Sequence, residues 1–177
     1  KLADEAFGMS YARRHKMRVT VVRFFNTIGP RQTGRYGMVV PRFVRQAVAN
    51  EPISVFGDGS QRRCFCDVRD TVRAVDTLVN SPESWGQIVN VGAENEISIL
   101  GLAELVRQRA GSTSEIRKVP HKEAYNGEDF QETVRRRPDL TKFYRLTGFK
   151  HSWNLERTLD DLIRTERERV QSQRSQQ

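Results

Sequence analysis

The chain has 177 residues, enough to bury the core of a single domain, and its 37% hydrophobic content with ordinary glycine and proline usage excludes a disordered or collagen-like polymer. No apolar run approaches the roughly 18 residues that a membrane-spanning helix needs, and the opening KLADEAFGMS has neither a basic n-region nor an apolar h-region, so the expectation is a soluble, cytoplasmic protein. A net charge of +8 fits nucleic acid or a small anionic ligand; without a helix-turn-helix, RNP or zinc-finger pattern, the small ligand is the better reading.

In chain order, Leu2, Ala3, Ala6, Phe7 and Ala12 recur near helical spacing and predict an amphipathic helix over residues 1 to 15 that starts without a side-chain cap. VTVVRFF (Val19 to Phe25) follows, a β-branched and aromatic run that is apolar almost throughout. Such a run suits a strand covered on both faces of a parallel sheet, and a helix feeding it is an α/β pattern. NTIGPRQTGRYGM is a loop rich in turn formers, of a length that folds over ligands. It ends where Pro41 can open a helix with Phe43, Val44, Ala47 and Val48 inward.

ISVF (Ile53 to Phe56) and RCFC (Arg63 to Cys66) flank Gly57-Asp58-Gly59 and predict a hairpin. Asp67, with Asp70 behind it, predicts a capped helix whose inward face is Val72, Val75, Leu78 and Val79. The strand QIVNVG comes next. Ser98 then caps a helix carrying Leu102, Leu105 and Val106 and closed by Gly111, and a strand near EIRKV precedes an irregular stretch from Pro120 to Arg137. Asp139 caps a short helix with Leu140, Phe143 and Leu146 that Gly148 ends. A last helix holds Leu155, Leu159, Leu162 and Ile163, and its polar continuation is expected to fray.

Taken alone, the residues offer no catalytic constellation: no Ser/His/Asp order, no His pair at ligand spacing and no glycine-rich strand-to-helix turn. His15, His121 and His151 are isolated in polar segments and read as surface residues. Cys64 and Cys66 lack a second Cys or His pair to complete a zinc site and read as reduced thiols. What stands out is a set of Arg and Asn residues just after strands, where α/β proteins bind ligands. Asn26 follows the apolar strand and is equally a turn residue. Arg63, inside a short strand, is either an edge-strand surface residue or a partner for a diphosphate, whose planar bidentate match guanidinium prefers. Arg135 to Arg137 concentrate positive charge ahead of a helix, though a solvated charge run looks the same.

The order RFFNTIGPRQ, VVPRFVRQAVANEPISVFGDGSQRRCFCDVRD, VNVG with EISIL, RRRPDLTK and TGF resembles the extended short-chain dehydrogenases that act on nucleotide sugars, nearest the UDP-glucose 4-epimerase and UDP-glucuronate decarboxylase branch. The match runs from Lys1 to about Leu162. It implies an α/β fold: the carboxy-terminal part of an extended Rossmann-type, doubly wound dehydrogenase with its small substrate domain, the amino-terminal Rossmann half being absent. Residues 1–30 would be the last helix and strand of the Rossmann domain. Residues 31–165 would be mainly the nucleotide-sugar domain, with 60–92 partly returning to the Rossmann sheet, and 166–177 a frayed tail.

By the same resemblance, Lys1 is the catalytic lysine of a Tyr-x-x-x-Lys motif, holding the nicotinamide ribose and lowering the tyrosine pKa from four residues away. Thr27 and Ile28 lie by the nicotinamide and Arg31 belongs to the same loop, so the implied cofactor is NAD. Asn26 and Arg63 contact the sugar diphosphate, Val39, Val40 and Pro41 line the nucleotide base, and Arg136 with Asp139 lies near phosphate and ribose. Asp67 stands where close relatives often carry His; a carboxylate there would weaken anion binding unless it turns away to cap its helix, which is the reading adopted.

The implied partner is a UDP-sugar or dTDP-sugar. UDP-sugar 4-epimerisation is expected first, UDP-glucuronate decarboxylation second and dTDP-glucose 4,6-dehydration third. Without the tyrosine and the glycine-rich turn, the isolated chain is expected to be inactive and unable to hold NAD. A reading of another class makes it a non-catalytic binding or assembly remnant. Apolar surface on residues 1 to 15 and on Val19 to Phe25 would then be covered by a second copy or by a complementary amino-terminal half.

Overall fold

The computed structural model describes residues 1–32, 38–120 and 133–175. Residues 33–37 of the first expected loop, and 121–132 of the second with His121, lie outside the described residues. The first half of the chain runs α1 (Leu2–His15), β1 (Val21–Phe24), β2 (Thr27–Ile28), α2 (Val39–Val48), β3 (Ile53–Phe56), β4 (Arg62–Cys64), β5 (Cys66–Asp67) and α3 (Val68–Val79). A 3-10 turn (Pro82–Ser84) leads to β6 (Ile88–Val91), β7 (Glu96–Ser98), α4 (Ile99–Arg109), β8 (Ile116–Val119), β9 (Arg135–Arg136), α5 (Thr141–Thr147) and α6 (Leu155–Arg174). The chain divides into two compact units, each built from three separate stretches.

The first unit takes Lys1–Thr27, Cys64–Asn95 and Arg137–Trp153. Its centre is a parallel pair, β1 with β6, in the register Val21↔Ile88 to Phe24↔Val91. Val89 and Val91 point into a core closed by Ala74 and Leu78 of α3 and by Leu140, Phe143 and Phe149 around α5. The cap expected at Asp67 is present, since its Oδ1 accepts the Arg69 N–H at 2.8 Å. The face expected of that helix is corrected: Val72 and Val79 are exposed, and the buried positions are Asp70, Thr71, Ala74 and Leu78. Apolar residues occur on two sides of α3, and the small Ala74 and short Thr71 let it approach more closely than a valine face would.

The expected helix over residues 1 to 15 forms, yet no residue of α1 is buried. Leu2, Phe7 and Tyr11 stay exposed, as do Met17 and Phe24. The helix meets β1 at Gly8, where an added Cβ would sit 3.6 Å from Val21, and through an ion pair in which Arg23 donates Nε to Glu5 Oε1 at 2.7 Å and Nη2 to Oε2 at 2.6 Å.

The second unit takes Ile28–Arg63, Glu96–Arg136 and Asn154–Gln177. Helix α2 packs on α4 and α6, burying Val40, Phe43, Val44, Ala47, Leu102, Val106, Leu159 and Ile163. Beneath them β3 pairs in parallel with β8, Ile53↔Ile116 to Phe56↔Val119, with Ile53 and Val55 at 0% exposure. The hairpin expected around Gly57-Asp58-Gly59 is therefore overturned. Gly57 and Gly59 take positive φ and Asp58 Oδ1 accepts both Ser60 N–H and Ser60 O–H, so the turn carries the chain out of the β3–β8 ladder into a separate sheet ordered β7-β4-β9. Helix α6 runs on through the polar stretch to Arg174, laced by Arg164 with Asp161 and Glu168 and by Arg169 with Glu166.

Candidate functional site

Strands β4 and β9 run parallel with Arg62 beside Arg135 and Arg63 beside Arg136. Side chains alternate along a strand, so one face of this two-step ladder carries Arg62 and Arg135 and the opposite face carries Arg63 and Arg136. The first face meets Glu96 of β7. Arg135 donates Nε to Glu96 Oε1 at 2.8 Å and Nη2 to Oε2 at 2.6 Å, and Arg62 Nη2 donates to the Glu96 carbonyl at 3.3 Å.

On the other face, Arg63 is half-buried and Nη1 donates to the carbonyls of Arg62 at 2.9 Å and Val134 at 3.4 Å. Those acceptors orient the guanidinium.

The same unit holds more of the predicted positions. Val40 is 1% exposed and belongs to the core, while Val39 and Pro41 in the first turn of α2 keep part of their surface. Ile28 is buried. Arg31 is exposed and has φ 66, a left-handed conformation for a non-glycine residue in a turn closed by Gln32 N–H donating to Gly29 O at 3.3 Å.

In the first unit, Asn26 stands at the end of β1. Its Nδ2 donates to Cys64 O at 3.0 Å, which fixes the carboxamide, and its backbone carbonyl accepts the Cys66 N–H at 3.1 Å. Thr27 Oγ1 lies 3.4 Å from Thr71 Oγ1. Asp139 Oδ1 accepts the Thr141 N–H at 2.9 Å, and that donor holds its carboxyl below the usual carboxylate range. Lys1 Nζ is fully in solvent, 3.5 Å from Asp4 Oδ2. The predicted positions thus fall in two sets, Lys1, Asn26, Thr27 and Asp139 in one unit and Ile28, Arg31, Val39 to Pro41, Arg63 and Arg136 in the other.

Several groups escaped the sequence reading. Asp70, at 0% exposure, accepts the backbone N–H groups of Ser152 and Trp153, each at 2.9 Å, and an ion pair from Arg73. Arg69 grips Asp67 with two donors, at 2.8 and 2.7 Å, and lies 3.3 Å over the Trp153 ring. Tyr144, half-buried near Glu94, has its phenol pushed up to about 12 by burial and by that carboxylate. Each links residues far apart in the chain, where local patterning gives no signal.

Both cysteines are free and buried, and desolvation raises Cys66 to about 11. Among the described residues, no cluster of three or more His, Cys, Asp or Glu could hold a metal ion, and no helix is long and apolar enough to cross a membrane. In this sequence, of the positions expected beside the nicotinamide, Ile28 is buried and Thr27 half-buried, while Lys1 and Arg31 are exposed. The glycine-rich strand-to-helix turn that seats a dinucleotide pyrophosphate has no counterpart in it.

Residues 1–92 match the model of the NAD dependent epimerase/dehydratase family. Over 173 residues the chain is 38% identical to a UDP-N-acetyl-alpha-D-glucosaminuronate decarboxylase of Bacillus cytotoxicus, which covers 95% of this chain and 52% of that protein. It is 34% identical over 177 residues to UDP-glucuronic acid decarboxylase 1 of Xenopus tropicalis, covering 100% of this chain and 40% of that one. The chain therefore spans about half the length of the curated relatives it matches. Among solved structures, UDP-glucose 4-epimerase from Thermotoga maritima, determined with UDP-glucose, superposes with a TM-score of 0.85 at 25% identity over 96% of this chain and 52% of that one. The α/β fold with parallel ladders is accordingly that of Rossmann-like epimerase and dehydratase structures.

Proposed function

The chain belongs to the NAD dependent epimerase/dehydratase family, and from that premise we propose that it is the nucleotide-sugar-binding part of an enzyme acting on a UDP-sugar. The family is NAD dependent, and the cofactor, when bound, supplies a reversible oxidation of the sugar. The part of this chain is to hold the diphosphate and so the sugar. The observation that carries this reading is the register of Arg63 beside Arg136 on one face of the β4–β9 ladder. Asn26, fixed at the end of β1, and Val39 and Pro41, partly accessible at the start of α2, are the further contacts proposed for diphosphate and base; Asp139 is proposed to lie near the ribose.

For the reaction, decarboxylation of a UDP-hexuronate is the first reading, supported by the names of the two curated relatives. Oxidation at C4 of a uronate gives a β-keto acid, which loses carbon dioxide readily. A hexose lacking the carboxylate has no carbon dioxide to lose and can regain its hydride on either face, so the same binding half serves both outcomes. The 4-epimerisation expected from the sequence motifs stays as the second reading, supported by the likeness to the Thermotoga maritima enzyme.

The test is calorimetric titration of this chain with uridine, UDP, UDP-glucuronate and UDP-glucose. UDP should bind, and Arg63→Ala should weaken it by roughly tenfold to a hundredfold, the equivalent of about 1.5–3 kcal/mol for a hydrogen bond to a charged group, with uridine unaffected. Equal UDP affinity in the variant would overturn the reading. Tighter binding of UDP-glucuronate than of UDP-glucose would mark a uronate substrate, which decarboxylation requires, and the reverse order would mark a hexose and overturn the decarboxylase reading.

A further inference from the structure

The β4–β9 ladder is two residue pairs long and all four residues are arginine. Pairing so short contributes little by itself, and four guanidinium groups on adjacent strands drive those strands apart. Among the interactions that oppose this, two act at the strand ends. Arg62 N–H donates to Val134 O at 3.0 Å just ahead of β9, and the Glu96 carboxylate takes both donors of Arg135 in a fork-to-fork ion pair. The Glu96 side chain is 10% exposed and that of Arg135 62%, so the carboxylate is shielded from water while the guanidinium is not, and the forked geometry is what sets the pair apart from a single-contact surface ion pair. The Glu96 carbonyl also accepts from Arg62, so one residue of β7 touches both arginines of that face.

We propose that Glu96 and Arg135 are positioning residues for diphosphate recognition: their ion pair, on one face of the ladder, holds β9 in register so that Arg136 stands beside Arg63 on the other. This rests on Arg63 and Arg136 being the phosphate ligands. Glu96 contacts no phosphate; it answers the charge of one arginine pair, and by anchoring the strand it keeps the other pair preformed. Preorganised charge binds an anion without the cost of gathering it at the moment of binding.

The proposal makes a prediction of opposite sign to that of charge alone. Removing a carboxylate near an anion site by Glu96→Gln should tighten UDP binding if Glu96 acts only through its field. If Glu96 positions Arg136, the same change should weaken UDP binding by about tenfold and leave uridine affinity unchanged. The exchanged pair, Glu96→Arg with Arg135→Glu, keeps the net charge and should restore UDP affinity to within about twofold. Calorimetry with UDP and uridine, beside thermal melting of each variant, reads these outcomes.

UDP binding in Glu96→Gln as tight as in the unaltered chain, or tighter, would overturn the proposal. So would equal losses for UDP and uridine accompanied by a lowered melting temperature, which would mark Glu96 as merely structural. An unaltered chain that ignores UDP would bring down the functional reading beneath it, whereas a chain that needs Arg63 and not Glu96 would bring down this inference alone.

Discussion

Cys66 is 2% exposed, and its thiol accepts a hydrogen bond from Thr71 Oγ1 at 3.5 Å. Burial raises its pKa to about 11, from about 8.5 for an ordinary thiol. A group whose pKa is higher in the folded state stabilises fully below its unfolded value and stops doing so as pH climbs through the folded one. Stability in urea should therefore fall between about pH 8.5 and about pH 11, and Cys66→Ala should flatten that slope. An unchanged slope in the variant would show that other groups cause it. The buried thiol should likewise resist alkylation at pH 8 until the protein unfolds. At this same scale the strand position of Arg63 was legible, while its two readings, an edge-strand surface residue or a partner for an anion, stayed open on the sequence alone. Arg136 could be singled out from its two neighbours only through the family motif, since a run of three arginines looks alike along its length. Glu96 was not legible at all: its partner, Arg135, lies on a strand 39 positions away.

The elements whose signals are local were readable. β1 and β6 announce themselves as β-branched runs, and Asp67 and Ser98 cap α3 and α4 as expected, Ser98 Oγ accepting the Gly101 N–H at 3.0 Å. What the residues do not state locally is the partner each strand chooses. ISVF and RCFC look like hairpin arms because a glycine-rich turn joins them, yet β3 takes β8 and β4 takes β7 and β9. The reason is packing at that turn. Gly59 has φ +76, and a Cβ on it would meet Val55 Cγ1 at 2.7 Å and Leu100 Cβ at 2.9 Å, so the turn is pressed flat against β3 and α4. Gly59→Ala should destabilise the fold by about 2 kcal/mol or more through strain and overlap together, seen as a lower melting temperature. No loss would mean that the turn is looser than this contact implies. The misjudged face of α3 has a similar origin: valines on both sides left the choice to the small residues Thr71 and Ala74, which periodicity alone ranks below valine.

At the scale of the molecule, both units are discontinuous, and the joins matter as much as the cores. Asp70 is one such join, drawing Ser152 and Trp153 from 82 and 83 positions away onto the first turn of α3. Asp70→Ala would strand the two backbone donors, at a cost of about 3 kcal/mol, measurable by urea unfolding; Arg73 keeps Ser152 Oγ and the Lys150 carbonyl. Asp70→Asn, which keeps an acceptor, should cost less. Equal stability in all three proteins would show that the segment is held by Phe149 and its neighbours instead. The net charge of +8 also finds part of its place at this scale, with four of the arginines gathered on one short ladder.

The division into interleaved stretches also dictates an order of events during synthesis. Strand β1 leaves the ribosome long before its partner, so residue 21 waits for residue 88, and the core that covers both waits for α5. The second unit's first stretch is made during that delay and cannot close either until α4 and α6 follow. Until β6 follows, β1 lacks this parallel partner. That interval, more than the finished fold, is when it most needs a chaperone.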